Sequence, residues 1–363
     1  MFELYGGCAA SVQSRGGDGP VARGAYHRFV DTGRALSHLL LACTIELDNA
    51  FEVRWSAAPR RPWSVSWAMW ANFLRYVPDA GMAPGTLAGP VDRGGLLRWG
   101  YLEGDADRVG LTEAGRRSRT IWAGLAAEVE ERWRERLGAA AYDELVAALL
   151  AFGEPGLPRY LPVVRYSDGL RTPPELPSPP VDEPPDLPML LAQPLQRWTL
   201  DYEREAELSL PVAVDVLRVL HRDGVRVADL PRRSGVSKEG LTAATRFLER
   251  QLLVVTVPDP ARSRGKLVRL TDGGDRARHR HLARVDQLHE RWRAERGADR
   301  LDAALAAVLA RPEVLAAAIE PPEQCWRARP PYRAQTSRLV ADPLAALPHH
   351  PMVLHRGGFP DGA

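Results

Sequence analysis

Lysine is nearly missing from this chain: Lys238 and Lys266 are the only two, and every other cation is arginine. With a net charge of +2 there is no global basic excess, so a nucleic-acid surface has to be local. Cysteine is scarce as well. Cys8, Cys43 and Cys325 are odd in number and lack metal-ligand spacing, which argues against a disulfide framework or a zinc site and fits a reducing compartment. No apolar run approaches the ~20 residues that span a bilayer. Residues 1–24 are Gly-rich and lack the apolar stretch of a secretory signal, so they read as a disordered leader. Nucleophile elbow, phosphate loop, dinucleotide glycine fingerprint and metalloprotease helix are all absent, which leaves no enzyme signature and no cofactor. His349, His350 and His355 cluster without carboxylate or thiol partners at ligand spacing. The expectation is a non-enzymatic, cytoplasmic protein.

What is present is enough for a real core. Apolar residues make up 45% and charged residues 26% of 363, comfortable for two domains. The most informative stretch runs from Leu210 to Arg276. Val212, Val216, Val219 and Leu220 share one helical face, and Gly224 ends that helix. A short helix from Val227 to Arg233 follows, anchored by Leu230. Ser234-Gly235-Val236-Ser237 makes a tight turn, with Ser237 placed to cap the next helix. That helix, Lys238 to Gln251, buries Leu241, Ala244, Phe247 and Leu248 and turns Lys238, Thr242, Thr245 and Arg246 outward. Two β-prone runs, Leu252 to Val257 and Lys266 to Leu270, flank a tip rich in Pro, Gly and Arg. Thr271 then caps a long helix.

This order, with Asp259, Arg262 and Arg264 in the wing and Leu270-Thr271-Asp272-Gly273-Gly274 after it, resembles the multiple-antibiotic-resistance-regulator (MarR) family of winged helix-turn-helix regulators. The wing spacing is looser than the family's usual Asp-x-Arg. The resemblance implies DNA binding, an obligate dimer with interleaved first and last helices, and small aromatic effectors bound between dimer core and winged domain.

The chain also repeats itself. Leu111-Thr112-Glu113-Ala114-Gly115 matches Leu270-Thr271-Asp272-Gly273-Gly274, and Glu131-Arg132-Trp133-Arg134 matches Glu290-Arg291-Trp292-Arg293, both 159 residues apart. The same offset lays Leu150-Ala151 on Leu309-Ala310. Thr44 to Glu52 lies 155 residues before Thr199 to Glu207, and Phe73 to Val77 lies 143 before Val216 to Leu220. Leu157-Pro158-Arg159-Tyr160 answers Leu347-Pro348-His349-His350 at 190. The shared order predicts a mainly α protein with short β-wings, two winged-helix units forming a pseudo-two-fold dimer within one chain. The units are 25–170 and 189–363, joined by a Pro-rich linker over 171–188, with the C-terminal segment docked on its own unit. Pro155 to Pro194 reads as extended.

The units are unequal. Asp92 to Trp99 is too short and too Gly-rich for a projecting helix, so the first unit keeps the scaffold and has lost the reader. DNA contacts are expected from Ser237, Lys238, Thr242, Thr245 and Arg246 in the groove and from Arg262, Arg264 and Lys266 on the backbone of double-stranded DNA. The first unit is rich in aromatics, and Trp67, Trp70, Trp99 and Tyr101 could line an effector cleft; the alternative is plain core filling. Two functional readings stay open. One is a transcription regulator, acting as a monomeric pseudo-dimer or a dimer of chains. The other is a protein-interaction module on the same scaffold, without DNA.

Overall fold

The computed structural model describes residues 31–57, 64–83, 93–105, 107–153, 156–161 and 184–350; the expected leader, Trp63, His355 and most of the Pro-rich linker lie outside them. The protein is mainly helical with small antiparallel sheets. No described helix is long and apolar enough to cross a membrane.

The centre is α1, Thr32–Ser56, whose residues are buried on every side. A helix apolar only along one stripe lies at a surface; one enclosed all round must be wrapped by others. Its wrapping comes from α6, Leu187–Glu203, from α4, Glu113–Leu137, and from α11 and α12, Asp299–Leu309 and Pro312–Ile319. α5, Ala139–Ala151, packs against α11. These helices share one continuous apolar core.

Positions matched in sequence carry matched structure. Asp31 caps α1 by accepting from the Arg34 N–H, and Asp186 caps α6 by accepting from the Met189 N–H. The Thr44 hydroxyl donates to the Leu40 carbonyl and the Thr199 hydroxyl to that of Leu195. α4 and α10 (Asp272–Arg296) are both 25 residues long. Thr112 caps the first and Thr271 the second, each accepting from a glycine N–H at 3.0 Å. Gly138 and Gly297 end them with φ of 77° and 62°. The indoles of Trp133 and Trp292, both buried, donate to Glu46 at 2.9 Å and Asp201 at 3.1 Å.

Two expectations need correction. The stretch to Pro194 is not extended throughout, because α6 begins at Leu187. Pro188 sits in the first turn, where a missing N–H costs nothing, and the Asp186 cap offsets the start; Pro194 lies inside the helix, on its buried surface. The C-terminal segment docks on more than its own unit. His349 and His350 donate their backbone N–H groups to Asp215 at 2.8 and 3.0 Å, while Ser37 of α1 donates to the Pro348 carbonyl. Pro158 and Tyr160 mirror this, their carbonyls accepting from Gln196 of α6, and Asn72 donates to the Leu161 carbonyl. Each terminal segment thus bridges its own half and the first helix of the other.

The two heads differ in where their apolar residues go. In the second half, Val212, Val216, Leu217, Leu220, Leu230, Leu241, Phe247, Leu248 and Val268 form a core of their own. In the first half, Leu96, Tyr101, Leu102 and Leu111 belong to the central core. The apolar residues of 212–268 thus keep a core apart, while those of 96–111 are part of the central one.

Candidate nucleic-acid interface

The second head is built as its sequence pattern requires. A helical stretch Leu210–Val214 runs on into α7, Asp215–Leu217. α8, Leu230–Ser234, stops at Gly235, whose φ of +77° is a backbone that only glycine adopts without strain. Ser237 caps α9, Lys238–Arg250, by accepting from the Gly240 N–H at 3.2 Å. Leu241, Ala244, Phe247 and Leu248 are buried, so the helix is fixed by one face and free on the other.

The wing is a three-stranded sheet in the order β3-β5-β4: Val225–Arg226, Lys266–Leu270 and Val254–Pro258. Val254 pairs with Leu270 and Pro258 with Lys266, so the two strands stay paired up to the tip. The tip is tied by Asp259. Its buried carboxylate accepts from the Ala261 N–H at 2.9 Å and from Arg226 Nε at 2.8 Å, and its own N–H donates to the Gly265 carbonyl. The Ala261 N–H, with the Arg226 guanidinium beside it, holds that carboxyl below the usual carboxylate range.

Of the residues expected to meet DNA, Lys238, Thr242, Arg246, Arg262, Arg264 and Lys266 are exposed, and Thr245 is half-buried. Ser237 is buried at 3% exposure with its oxygen spent on the cap, so it shapes the interface without reaching into it. Thr242, exposed, returns its hydroxyl to the Lys238 carbonyl at 2.9 Å. None of Lys238, Arg246, Arg262, Arg264 and Lys266 forms an ion pair among the described residues. Several arginines elsewhere are spent on carboxylates: Arg132 and Arg136 on Glu46, Arg218 on Asp215, Arg300 on Glu144. Glu249, one of two glutamates in α9, accepts from the Thr256 hydroxyl at 2.6 Å. Sequence reasoning passed over Asp259 as an organiser of the wing and Arg226 as its partner; a lone Asp before a Pro gives no hint of an ion pair 33 residues away.

The corresponding part of the first half differs in length and sign. α3, Arg93–Arg98, is a helix of only six residues against 13 in α9, and Leu96 within it is fully buried. β1 and β2, Leu102–Gly104 and Val109–Leu111, make three pairs where β4 and β5 make five. The short tip carries Glu103, Asp105 and Asp107, all exposed, where the longer one carries Arg262, Arg264 and Lys266. Asp105 accepts from the N–H groups of Asp107 and Arg108, which hold it below the ordinary carboxylate range and charged.

The aromatic residues expected around an effector cleft are spent on the core. Tyr101 is fully buried and stacks on Trp55 at 5.6 Å; Trp67 meets Trp122 at 5.4 Å and Tyr160 at 5.5 Å edge to face. Trp70 is buried and Trp99 half-buried against the same core. The cavity beside Trp67 holds about 20 Å³, room for one water and not for an aromatic ring.

His38, His281, His349 and His350 gather where the C-terminal segment passes between α1 and the head. His38 and His349 lie 5.8 Å apart, His281 and His350 6.4 Å, and the Tyr202 hydroxyl shares a hydrogen bond with His281 at 3.0 Å. Burial pushes all four below the ordinary histidine value, His350 to about 4 and His281 to about 3. Neutral imidazoles therefore line this joint at pH 7. No group of three or more potential ligands that could hold a metal occurs among the described residues.

No family model matches this chain, and neither a curated protein nor a solved structure is similar enough to it to count as a match.

Proposed function

We propose that this chain is a DNA-binding transcription regulator of MarR-like type: two winged-helix units fused into a pseudo-two-fold body, of which the second reads double-stranded DNA. The observation that carries it is the set of five exposed cations, Lys238 and Arg246 on α9 and Arg262, Arg264 and Lys266 on the wing, none spent on a carboxylate. Unpaired arginines cost nothing in water, but grouping them on a helix of groove-fitting length and a projecting hairpin suits phosphate and base-edge contact. The first unit, with its short helix and acidic tip, repels the same polyanion. One chain then reads one half-site of asymmetric sequence.

Selection from random duplexes with purified protein tests this, followed by salt titration of the selected duplex. Replacing Arg262 and Arg264 by Ala lowers the slope of log K against log salt by roughly 1 to 2, near 0.9 per lost phosphate contact. Failure to enrich any duplex removes the reading.

One observation favours the second reading, a protein-interaction module. Leu252 is 79% exposed just before β4 and Val255 45% within it, β4 being an edge strand of the wing sheet. A chain that enriches no duplex and loses a protein partner when Leu252 is made polar would follow that reading.

A further inference from the structure

The offsets between the two halves jump from 159, at Leu150 and Leu309, to 190, at Leu157 and Leu347. The second half therefore contains a stretch, from about residue 311 to 341, without counterpart in the first. It is folded, not looped out. It contributes α12, a helical turn Trp326–Ala328, and α13, Arg333–Ala341, leading into α14, Pro343–Ala346. It is seated on the polar residues of α1: the Trp326 N–H donates to Glu52, Cys325 Sγ to the Asn49 carbonyl, and Asn49 Nδ2 to the Ile319 carbonyl.

Between the segment after α12, the helical turn and α13 this insertion forms an open cleft of about 580 Å³, within the range of small-molecule sites. Glu320, Glu323, Arg327, Arg333, Thr336 and Ser337 line it. Arg327 is 2% exposed, stacked on Trp326 at 4.3 Å and 3.9 Å from Asp48, so its guanidinium is a fixed wall. Glu320, Glu323 and Arg333 are exposed and carry no ion pair among the described residues, although they border one cleft. Charges of both signs that face a common space without meeting each other are complementary to a molecule that carries both.

We propose that this cleft binds a small zwitterion of the amino-acid or dipeptide class, its carboxylate toward Arg333 and Arg327 and its ammonium toward Glu320 and Glu323. The bidentate fork of a guanidinium suits a carboxylate, and paired carboxylates suit an ammonium. The far wall, α13, runs through α14 into the segment whose Ala346 carbonyl and Pro348 nitrogen press on Gly235, the turn of the helix-turn-helix.

The test is calorimetric titration of the full chain with L-arginine, L-glutamate and the dipeptide Ala-Ala, against neutral N-acetylalaninamide. At least one zwitterion binds saturably at one per chain and the neutral probe does not. Arg333→Glu, and Glu320→Gln with Glu323→Gln, each weaken binding about tenfold or more. Ser337→Trp, at the exposed rim, blocks the cleft without touching those charges and abolishes binding. Unchanged melting temperatures establish that the variants fold. Absence of binding by all three zwitterions up to about 10 mM, an affinity range of a few kcal/mol, or binding indifferent to all the substitutions, overturns the assignment.

Discussion

The indole of Trp198 occupies the space where a side chain on Gly33 would project, so α1 and α6 cross at a contact only glycine permits. Both residues are buried, Gly33 in the first turn of α1 and Trp198 in the C-terminal half of α6. Gly33→Ala should therefore destabilise. Helix propensity favours alanine by about 1 kcal/mol, but forcing the methyl into a packed indole costs roughly 1 to 3 kcal/mol or more. Thermal unfolding should show a lower melting temperature; a rise would mean that the crossing relaxes freely.

Asp259 gives a way to disturb the wing without removing a cation. Its carboxylate satisfies the Ala261 N–H and holds Arg226. Asp259→Ala leaves both unmet and frees the tip, so DNA affinity should fall although net charge becomes more positive. If the wing cations acted as a mere cloud of charge, the same substitution would strengthen binding. Fluorescence polarisation with the selected duplex distinguishes the two signs.

Much of this arrangement was legible in the sequence because it rests on local rules. Caps at Thr112, Thr271 and Ser237, a tight turn at Ser234 to Ser237, and apolar spacing through Leu241 to Leu248 depend on neighbours a few residues away. The repeat was legible because residues that cap or anchor a helix end recur in order. What escaped was long-range. Nothing near Trp67 or Tyr101 distinguishes a core stack from a ligand cleft, since both need aromatic residues at helical spacing. The extended reading of Pro188 and Pro194 failed because burial outweighs propensity in α6. The insertion after α11 showed only as a change of offset, with no motif to mark its cleft.

Acid should loosen the joint between head and body. His38, His281, His349 and His350 are neutral in the fold, with values lowered chiefly by burial, His350 to about 4 and His281 to about 3. In the unfolded chain an imidazole takes its proton near pH 6.5. A group whose folded value is depressed contributes stability that is whole above about pH 6.5 and is lost as pH falls toward the folded value. Each such histidine removes up to roughly 1.4 kcal/mol per pH unit in that window. Asp215, raised by its burial, works in the opposite sense and loses stability as pH rises through its folded value. Melting temperature should drop between pH 6.5 and 4, and His350→Leu should make that branch shallower. An unaltered slope would mean that the joint is open to water.

Leu252 and Gly100 hold one position in the two halves: the carbonyl of each accepts from the threonine that caps the following long helix, Thr271 at 2.9 Å and Thr112 at 2.6 Å. Both backbones are left-handed, with φ of 57° and 75°. Leucine there carries a cost of about 1 to 2 kcal/mol, and at 79% exposure its side chain returns almost nothing through burial. Glycine would relieve the strain and give back roughly 0.5 to 1 kcal/mol in chain entropy. Leu252→Gly should thus raise stability by about 0.5 to 1 kcal/mol, read as a higher melting temperature, with DNA affinity unchanged because no cation moves. A stabilised variant that binds DNA normally would show that the strained leucine serves neither folding nor the duplex, and would direct attention to a protein partner at the β4 edge. A destabilised one would mean that Leu252 contributes packing which its exposure conceals.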